Sequence, residues 1–225
     1  MTSREILTLQ LGHYANFVGA HWWNLQEQSF DYHGAQPSQV DHDVLYREGR
    51  TLKGQTTFTP RLLLVDLKGS LKSLPKEGEL YEDLLPESGI EWDQEKFEVK
   101  QDKKPVKNKF QTEIESPIIL PEAVNKKYNL EESVEVWSDY LYSRFHPRSI
   151  NIINEYQHAN KETPFDSYSL GVELSKTECF QEDFNDKIRN YVEECDHFQG
   201  FHMLTDCTNG FSGLSSSCLE NIRDE

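Results

Sequence analysis

The stretch REILTLQLGHYANFVGAHWWNLQ, residues 4–26, decides the fold class of this chain. Apolar residues dominate from Ile6 to Leu11 and the run stops at Gly12, which is typical of a buried strand in a parallel sheet. From Asn16 onward the apolar residues recur at helical spacing, at Phe17, Val18, Trp22 and Leu25. A strand, a glycine turn and a helix in this order predict the first half of a βαβ unit.

Two further strands are predicted at Asp43 to Arg47 and at Thr59 to Leu67, the second ending in an acid at Asp66 and a turn at Gly69. In an open α/β sheet, ligands bind beyond the carboxyl ends of the strands. We therefore expect Gly12 and Asp66 to lie together on the ligand-binding edge.

Residues 73–133 differ from the rest of the chain, because they are highly charged and poor in aliphatic residues, as in EWDQEKFEVKQDKKPVKNK. This composition predicts an inserted, largely mobile segment between a first part of the domain at 1–72 and its continuation at 134–225. A helix is expected to begin after Asn129 and to end before HPRS at 146–149.

The last third has the clearest periodicity. Apolar residues from Phe180 to Cys195 predict an amphipathic helix, GFHMLTD (200–206) predicts a strand and NGFSG (209–213) a glycine turn. A short helix is expected around Ser215 to Ile222. The chain stops within this helix by pattern, so we expect an incomplete domain.

Composition excludes several classes of function. The chain has 23 basic and 39 acidic residues and a formal charge of −16, which repels nucleic acid and anionic lipid surfaces. No window approaches the roughly 18 apolar residues of a membrane-spanning helix, so membrane association is expected to be peripheral. The four cysteines form no CxxC pair, so we predict buried, reduced thiols and no metal site.

Five blocks of this sequence resemble tubulin, in the correct order over nearly the whole chain. Residues 4–24 resemble its first strand, phosphate loop and helix, with the pattern REIxxxQxGQxGNQIGxxFW. The other blocks are FTPRLLLVDL (58–67), RFHPRSI (144–150), SYSLGVEL (167–174) and EECDHFQGFHMLTDCTNGFSG (193–213), the last similar to the stretch that ends in the tubulin signature GGGTGSG. This resemblance implies a Rossmann-like, mostly parallel sheet with flanking helices.

A closer resemblance is to the Misato family of tubulin-like proteins. It rests on GAHWWN (19–24), DVLYR (43–47), PRLLLVDLKGSL (60–71), VWSDYL (136–141), HPRSI (146–150) and YVEECDHFQGF (191–201). The resemblance implies a role in mitochondrial distribution, morphology and fusion. It also implies a location in the cytoplasm and on the cytosolic face of the mitochondrial outer membrane, with protein partners there. Family members are longer, so the chain resembles their amino-terminal portion.

The tubulin resemblance also implies the candidate nucleotide-binding residues, with GTP or GDP as the candidate cofactor. Backbone N–H groups of a glycine turn and the positive end of the following helix would hold the phosphates. The candidates are Gly12, His13, Tyr14 and Asn16 in the first loop, Asp66 near the end of the predicted strand at 59–67, and Gly210, Ser212 and Gly213 in the second loop.

Both loops depart from the tubulin pattern. His13 replaces glutamine and Ala15 replaces glycine in the first loop, and residues 208–214 keep two glycines of five in the second. Phe211 is expected to be the largest obstacle to a phosphate. Lys68 replaces an acid associated with the tubulin metal, so it either contacts a phosphate or is a solvated surface lysine. His13 and Asp66 have structural alternatives too, as a hydrogen-bonded residue and a turn former.

These departures favour a non-catalytic tubulin-like protein that acts through protein contacts. No catalytic residue and no metal site are predicted, because phosphoryl transfer needs metal, positioned water and charge compensation together. The alternatives are a GTP-binding switch or assembly-dependent GTPase, and a cytoskeletal filament subunit. An isolated chain with an exposed sheet edge is also expected to be poorly soluble or to depend on a partner.

Overall fold

The computed structural model describes residues 4–30, 41–50, 56–72, 74, 106–114 and 130–224. The strands are β1 (Glu5–Leu11), β2 (Tyr46–Arg50), β3 (Thr56–Pro60), β4 (Leu62–Lys68), β5 (Ile150–Gln157) and β6 (Phe198–Thr205). The α-helices are α1 (His13–Glu27), α2 (Lys109–Ile114), α3 (Leu130–Ser133), α4 (Tyr168–Ser175), α5 (Glu178–Glu193) and α6 (Gly210–Asp224). Short 3₁₀ helices cover His42–Val44, Trp137–Tyr140 and Pro147–Ser149.

A four-stranded sheet in the order β5-β4-β1-β6 forms the centre of the domain, and each neighbouring pair of strands is parallel. β1 and β4 are the inner strands and are almost wholly buried, which explains why both read as nearly continuous apolar runs. The mostly parallel sheet with flanking helices confirms the predicted fold class.

Alternation along β4 divides the core into two layers. Leu63 and Val65 face a core formed with α4, α5 and α6, whereas Leu62 and Leu64 face a core formed with α1 and Trp137. Helices therefore cover both faces of the sheet, and the loops that connect strands to helices meet at the carboxyl edge.

The predicted strand at 59–67 is wrong in its bounds, because the chain changes sheet at Arg61. The Arg61 N–H donates to Leu45 O (2.8 Å), while its carbonyl accepts from Thr8 N (2.9 Å). β3 therefore pairs antiparallel with β2 in a separate two-stranded sheet, and β4 joins the central sheet. The strand predicted at 43–47 begins three residues later, after a 3₁₀ turn.

The long helix expected between Asn129 and 146–149 is also wrong. α3 has four residues, and the following backbone is held by Asp139, whose Oδ2 accepts from Glu135 N (2.9 Å) and Val136 N (3.1 Å). Because these N–H groups are committed to a carboxylate, they cannot continue a helical ladder. The chain forms a 3₁₀ turn at Trp137–Tyr140 instead.

The amphipathic helix and the strand of the last third are confirmed as α5 and β6. α6 begins at Gly210 and not near Ser215, since the predicted glycine turn is its first turn: Phe211 N donates to Asn209 Oδ1 (3.0 Å) and Ser212 N to Asn209 O (3.0 Å). β5 and α4 were not predicted.

Most of the predicted insertion at 73–133 lies outside the described residues. Its described part includes α2, which contacts the 3₁₀ turn at Trp137–Tyr140: Asn108 Nδ2 donates to Asp139 O (2.6 Å) and Gln111 Nε2 to Ser138 O (2.7 Å).

All four cysteines are free, but the prediction that they are buried holds for Cys218 alone, because Cys179 and Cys207 are exposed and Cys195 is half-buried. Among the residues described, none of the helices combines the length and apolar character needed to span a membrane.

Candidate functional site

The carboxyl edge of the sheet brings together the ends of β1, β4 and β6. The Gly12 N–H donates to Val65 O (3.1 Å), and the Asp206 N–H donates to Leu11 O (2.9 Å). Gly12 and Asp206 directly follow β1 and β6, and Asp66 lies at the same level near the end of the adjacent strand β4. This confirms the expectation that Gly12 and Asp66 share an edge, and it adds Asp206 to the same place.

Asp206 covers the amino terminus of α1. Its Oδ1 accepts from Ala15 N (2.8 Å) and its Oδ2 from Tyr14 N (3.3 Å) and from Asn209 Nδ2 (3.2 Å). The carboxylate lies so close to the first turn that a Cβ at Gly12 would come within 2.5 Å of its Cγ. Gly12 also has φ of +112°, a conformation that favours glycine. The glycine of the first loop thus makes room for Asp206.

Asp66 is fully buried beside this cap and is surrounded by donors. Its Oδ2 accepts from Trp137 Nε1 (2.8 Å) and Asn16 Nδ2 (3.0 Å), and its Oδ1 accepts from Leu67 N (2.8 Å). His13 Nδ1 lies 3.3 Å from Oδ2 as well. These bonds join β4, α1 and the 3₁₀ turn at Trp137, so Asp66 has a structural role at this edge.

His13 and His158 form an imidazole pair above Asp66, with ring centroids 4.0 Å apart. His158 is held by its backbone, because its N–H donates to Lys68 O (2.8 Å). Burial and the neighbouring His13 lower the pKa of His158, while Asp66 acts in the opposite direction. This shift favours the neutral form of His158, which offers no positive charge to a phosphate.

The second loop is packed against protein. A Cβ at Gly210 would lie 2.6 Å from the Phe165 ring, and one at Gly213 would lie 2.0 Å from Tyr168 O. The Ser212 hydroxyl donates to Asn209 O (2.6 Å). Gly210 and Gly213 therefore permit the close approach of α4 and its preceding loop to α6.

Phe211 is not an obstacle at the edge, contrary to expectation. Its ring is buried in the core and packs edge-on against Phe165, with centroids 5.1 Å apart. Lys68 and Tyr14 are exposed, Tyr14 to 74% of its surface. Lys68 therefore lies at the surface in contact with solvent, as the second of the two alternatives predicted. Tyr14 contributes only its backbone N–H to the edge.

Three residues at this edge were not predicted: Asp206, Trp137 and His158. The ending of β6 in LTD parallels the ending of β4 in VDL, so an acid at a strand end was a usable signal for Asp206. Nothing in the sequence around Trp137 or His158 indicates a position beside Asp66, because the contacts that place them span 71 and 145 residues of chain.

The arrangement does not fit the phosphates of a guanine nucleotide. The first-turn N–H groups at Tyr14 and Ala15 already bind a carboxylate, and Asp66 and Asp206 place two negative charges where a phosphate would need positive ones. Within the described ranges, no three His, Cys, Asp or Glu side chains are grouped so that they could hold a metal ion that would offset this charge.

Comparison with protein families agrees with the fold. The Misato Segment II tubulin-like domain model matches residues 4–116, and the Tubulin domain model matches residues 127–225.

Similar full-length proteins are more than twice as long as this chain. Protein misato of Drosophila melanogaster is 42% identical over 99% of this chain and 43% of its own length. Protein misato homolog 1 is 39% identical in both Danio rerio and Homo sapiens, over 98% and 99% of this chain and 43% and 44% of the relatives. The chain therefore spans less than half the length of these relatives and matches their amino-terminal part.

Proposed function

Because the chain belongs to the Misato family of tubulin-like proteins, we propose that it acts as a non-catalytic protein in mitochondrial distribution, morphology and fusion. It works through protein partners in the cytoplasm and on the cytosolic face of the mitochondrial outer membrane. The mitochondrial part of the proposal rests on what the family resemblance implies.

The non-catalytic part rests on one observation: both phosphate loops of the tubulin pattern are committed to contacts within the protein. The first loop binds Asp206, and the second packs against Phe165 and Tyr168. Phosphoryl transfer depends on positive charge or metal that neutralises the developing negative charge. Two carboxylates in this position oppose that requirement.

The overall charge supports recruitment by protein contacts. A formal charge of −16 disfavours direct binding to an anionic membrane surface, since that would require a basic patch. Peripheral association through a membrane-bound partner is compatible with this charge.

A GTP-binding switch is the competing function, favoured by the tubulin-like domain and by the shared edge of Gly12 and Asp66. Equilibrium binding of labelled GTP and GDP to the purified chain, with and without magnesium, separates the two. We expect no saturable binding by a folded sample. Micromolar, guanine-selective binding that Gly12→Val abolishes would replace the proposal with the switch.

The cellular role is tested by depletion of the protein and re-expression of the chain with a tag. We expect clustered or fragmented mitochondria on depletion and recovery on re-expression. Alkaline carbonate should release the tagged protein from purified mitochondria, because the association is peripheral. A normal mitochondrial network after depletion would contradict the proposal.

A further inference from the structure

We propose that Asp206 is a built-in replacement for a phosphate, so that the anion site at the amino terminus of α1 is filled by the protein itself. The inference rests on the proposed non-catalytic function and adds what occupies the edge that the tubulin resemblance assigns to a nucleotide. The chain is then stabilised in its folded form without a nucleotide.

The first step of the argument is that α1 has no local cap. Gly12 has no side chain to accept from the first turn, and no acidic residue lies in that turn. A helix of 15 residues with its first N–H groups unpaired would carry partial positive charge at its amino terminus. An acceptor, preferably an anion, must therefore come from outside the local sequence.

The second step is that Asp206 supplies this acceptor with the geometry of a helix cap. Its two oxygens bind the N–H groups of the second and third helical residues, Tyr14 and Ala15, from 192 and 191 residues away. An ordinary N-cap side chain binds these same two positions. Asp206 is only 6% exposed, so it binds in an environment largely shielded from water.

The third step is that the carboxylate is held in place from its own side as well. β6 pairs with β1 through Thr205 and Leu11, and the Asp206 N–H continues this ladder by donating to Leu11 O. Asn209 Nδ2 fixes Oδ2 from the start of α6. The side chain therefore enters the edge from a fixed backbone position, and its contact with α1 is built into the sheet register.

Two features connect this position with an anion-binding site. Gly12, the glycine that the tubulin resemblance assigns to the phosphate loop, approaches Asp206 too closely for any Cβ. The groups that bind Asp206 are backbone N–H groups at a helix amino terminus, which bind phosphate oxygens in other α/β proteins. Removal of the carboxylate should therefore create a site for a small oxyanion.

The experiment compares thermal unfolding of wild type, Asp206→Ala and the control Asp196→Ala in sodium phosphate and in sodium chloride of equal ionic strength. Asp196 is exposed and lies between α5 and β6, so its replacement removes the same charge away from the edge. We expect Asp206→Ala to lower Tm in chloride by about 2–8 °C, as loss of a cap does in a domain of this size.

Phosphate should then distinguish the variants. It should restore more than half of the Tm lost by Asp206→Ala, whereas wild type and Asp196→Ala should share one smaller shift from the general salting effect. Equal phosphate shifts in all three proteins would overturn the inference. If Asp206→Ala is unfolded in chloride, phosphate must refold it; Asp206→Ser, which also leaves space beside Tyr14 and Ala15, is judged by the same criterion.

Failure of this inference differs from failure of the proposed function. Saturable GTP binding by wild type would contradict both. No GTP binding by wild type together with no phosphate rescue of Asp206→Ala would overturn the role of Asp206 and leave the non-catalytic function in place.

Discussion

Asp66 is the most constrained single residue of the carboxyl edge, since a fully buried carboxylate accepts from Asn16, Trp137 and the backbone of Leu67. A buried donor that loses its acceptor is still removed from water but no longer gains a hydrogen bond in return, so the folded state is destabilised. The residue can therefore be important for stability in a protein that binds no nucleotide.

We expect Asp66→Ala to lower the free energy of unfolding by about 3 kcal/mol, because it leaves several donors unpaired in the core. Urea denaturation followed by circular dichroism measures the change. Asp183→Ala is the matched control, since it removes an exposed carboxylate paired with Lys187 and should cost less than about 0.5 kcal/mol. Equal losses in both variants would contradict the structural role of Asp66.

The lowered pKa of His146, which lies just before β5, predicts that the stability of the protein depends on pH. Burial, followed by the positive charges of Arg148 and Arg47, lowers the pKa of His146 from 6.5 to about 4, while Glu194 opposes the shift. The folded state favours the neutral imidazole, whose Nδ1 accepts from Arg148 N (3.3 Å). This contribution to stability is present above pH 6.5 and is lost as the pH falls towards 4.

We expect the free energy of unfolding to fall by roughly 1 kcal/mol between pH 7 and pH 5 through this group, a value reduced for its partial exposure to solvent. His146→Asn keeps an acceptor and does not titrate, so the difference between wild type and variant isolates the effect. Parallel pH profiles for the two proteins would refute the assignment.

At the scale of elements, the crossing of α4 and α6 depends on glycine at the contact. A Cβ at Gly171 would lie 1.8 Å from Gly210 O and 2.6 Å from Leu214 N, so backbone meets backbone. Elements packed this closely cannot admit a methyl group without separating. Gly171, Gly210 and Gly213 thus serve the interface of α6 with α4 and with the loop that precedes α4.

We expect Gly171→Ala to destabilise the protein by about 2–3 kcal/mol, although alanine usually stabilises a helix interior relative to glycine by about 1 kcal/mol. The sign of the effect is therefore diagnostic. Gly49→Ala is the control in β2, where the nearest atom to a Cβ is the movable Thr57 Oγ1 at 3.2 Å. The Tm values of the two variants are compared with that of wild type. A Gly171→Ala variant more stable than wild type would contradict the backbone-to-backbone contact of α4 and α6 at this position.

At the scale of the whole molecule, the outer face of α1 is unusually apolar. Tyr14, Val18, Trp22 and Leu25 are 74, 60, 38 and 52% exposed, and Glu27 is the one Asp, Glu, Lys or Arg residue within this helix. Surface helices normally carry charged and polar residues on the face that points to solvent. β6 lies beside it at one end of the sheet order, with no further strand among the described residues on its outer side.

We expect the isolated chain to associate with itself as its concentration rises, because contiguous exposed apolar surface and an open strand edge both promote association. Val18→Glu with Leu25→Lys should reduce the association measured by light scattering without changing the net charge. Gln181→Glu with Asn190→Lys places the same charges at two exposed positions of α5 and should have no effect. A monodisperse wild-type chain with a cooperative thermal transition would overturn the prediction.

Local sequence determined the elements whose signal lies within a few residues of chain. The nearly continuous apolar run of β1, the turn at Gly12, the apolar spacing of α1 and α5 and the acid near the end of β4 can all be read from short stretches of sequence. They were sufficient for the fold class and the shared edge of Gly12 and Asp66, whereas the family was identified from the resemblance of the motifs and their order.

Tertiary structure alone decided what occupies that edge. Asp206 reaches α1 across about 190 residues, Trp137 reaches Asp66 across 71, and Gly210 and Gly213 take their roles from a neighbouring segment. The change of sheet at Arg61 likewise depends on its hydrogen bonds to Leu45 and Thr8. Periodicity reports which face of an element is buried, whereas the partner of a buried carboxylate or glycine depends on contacts between distant residues that form only when the chain folds.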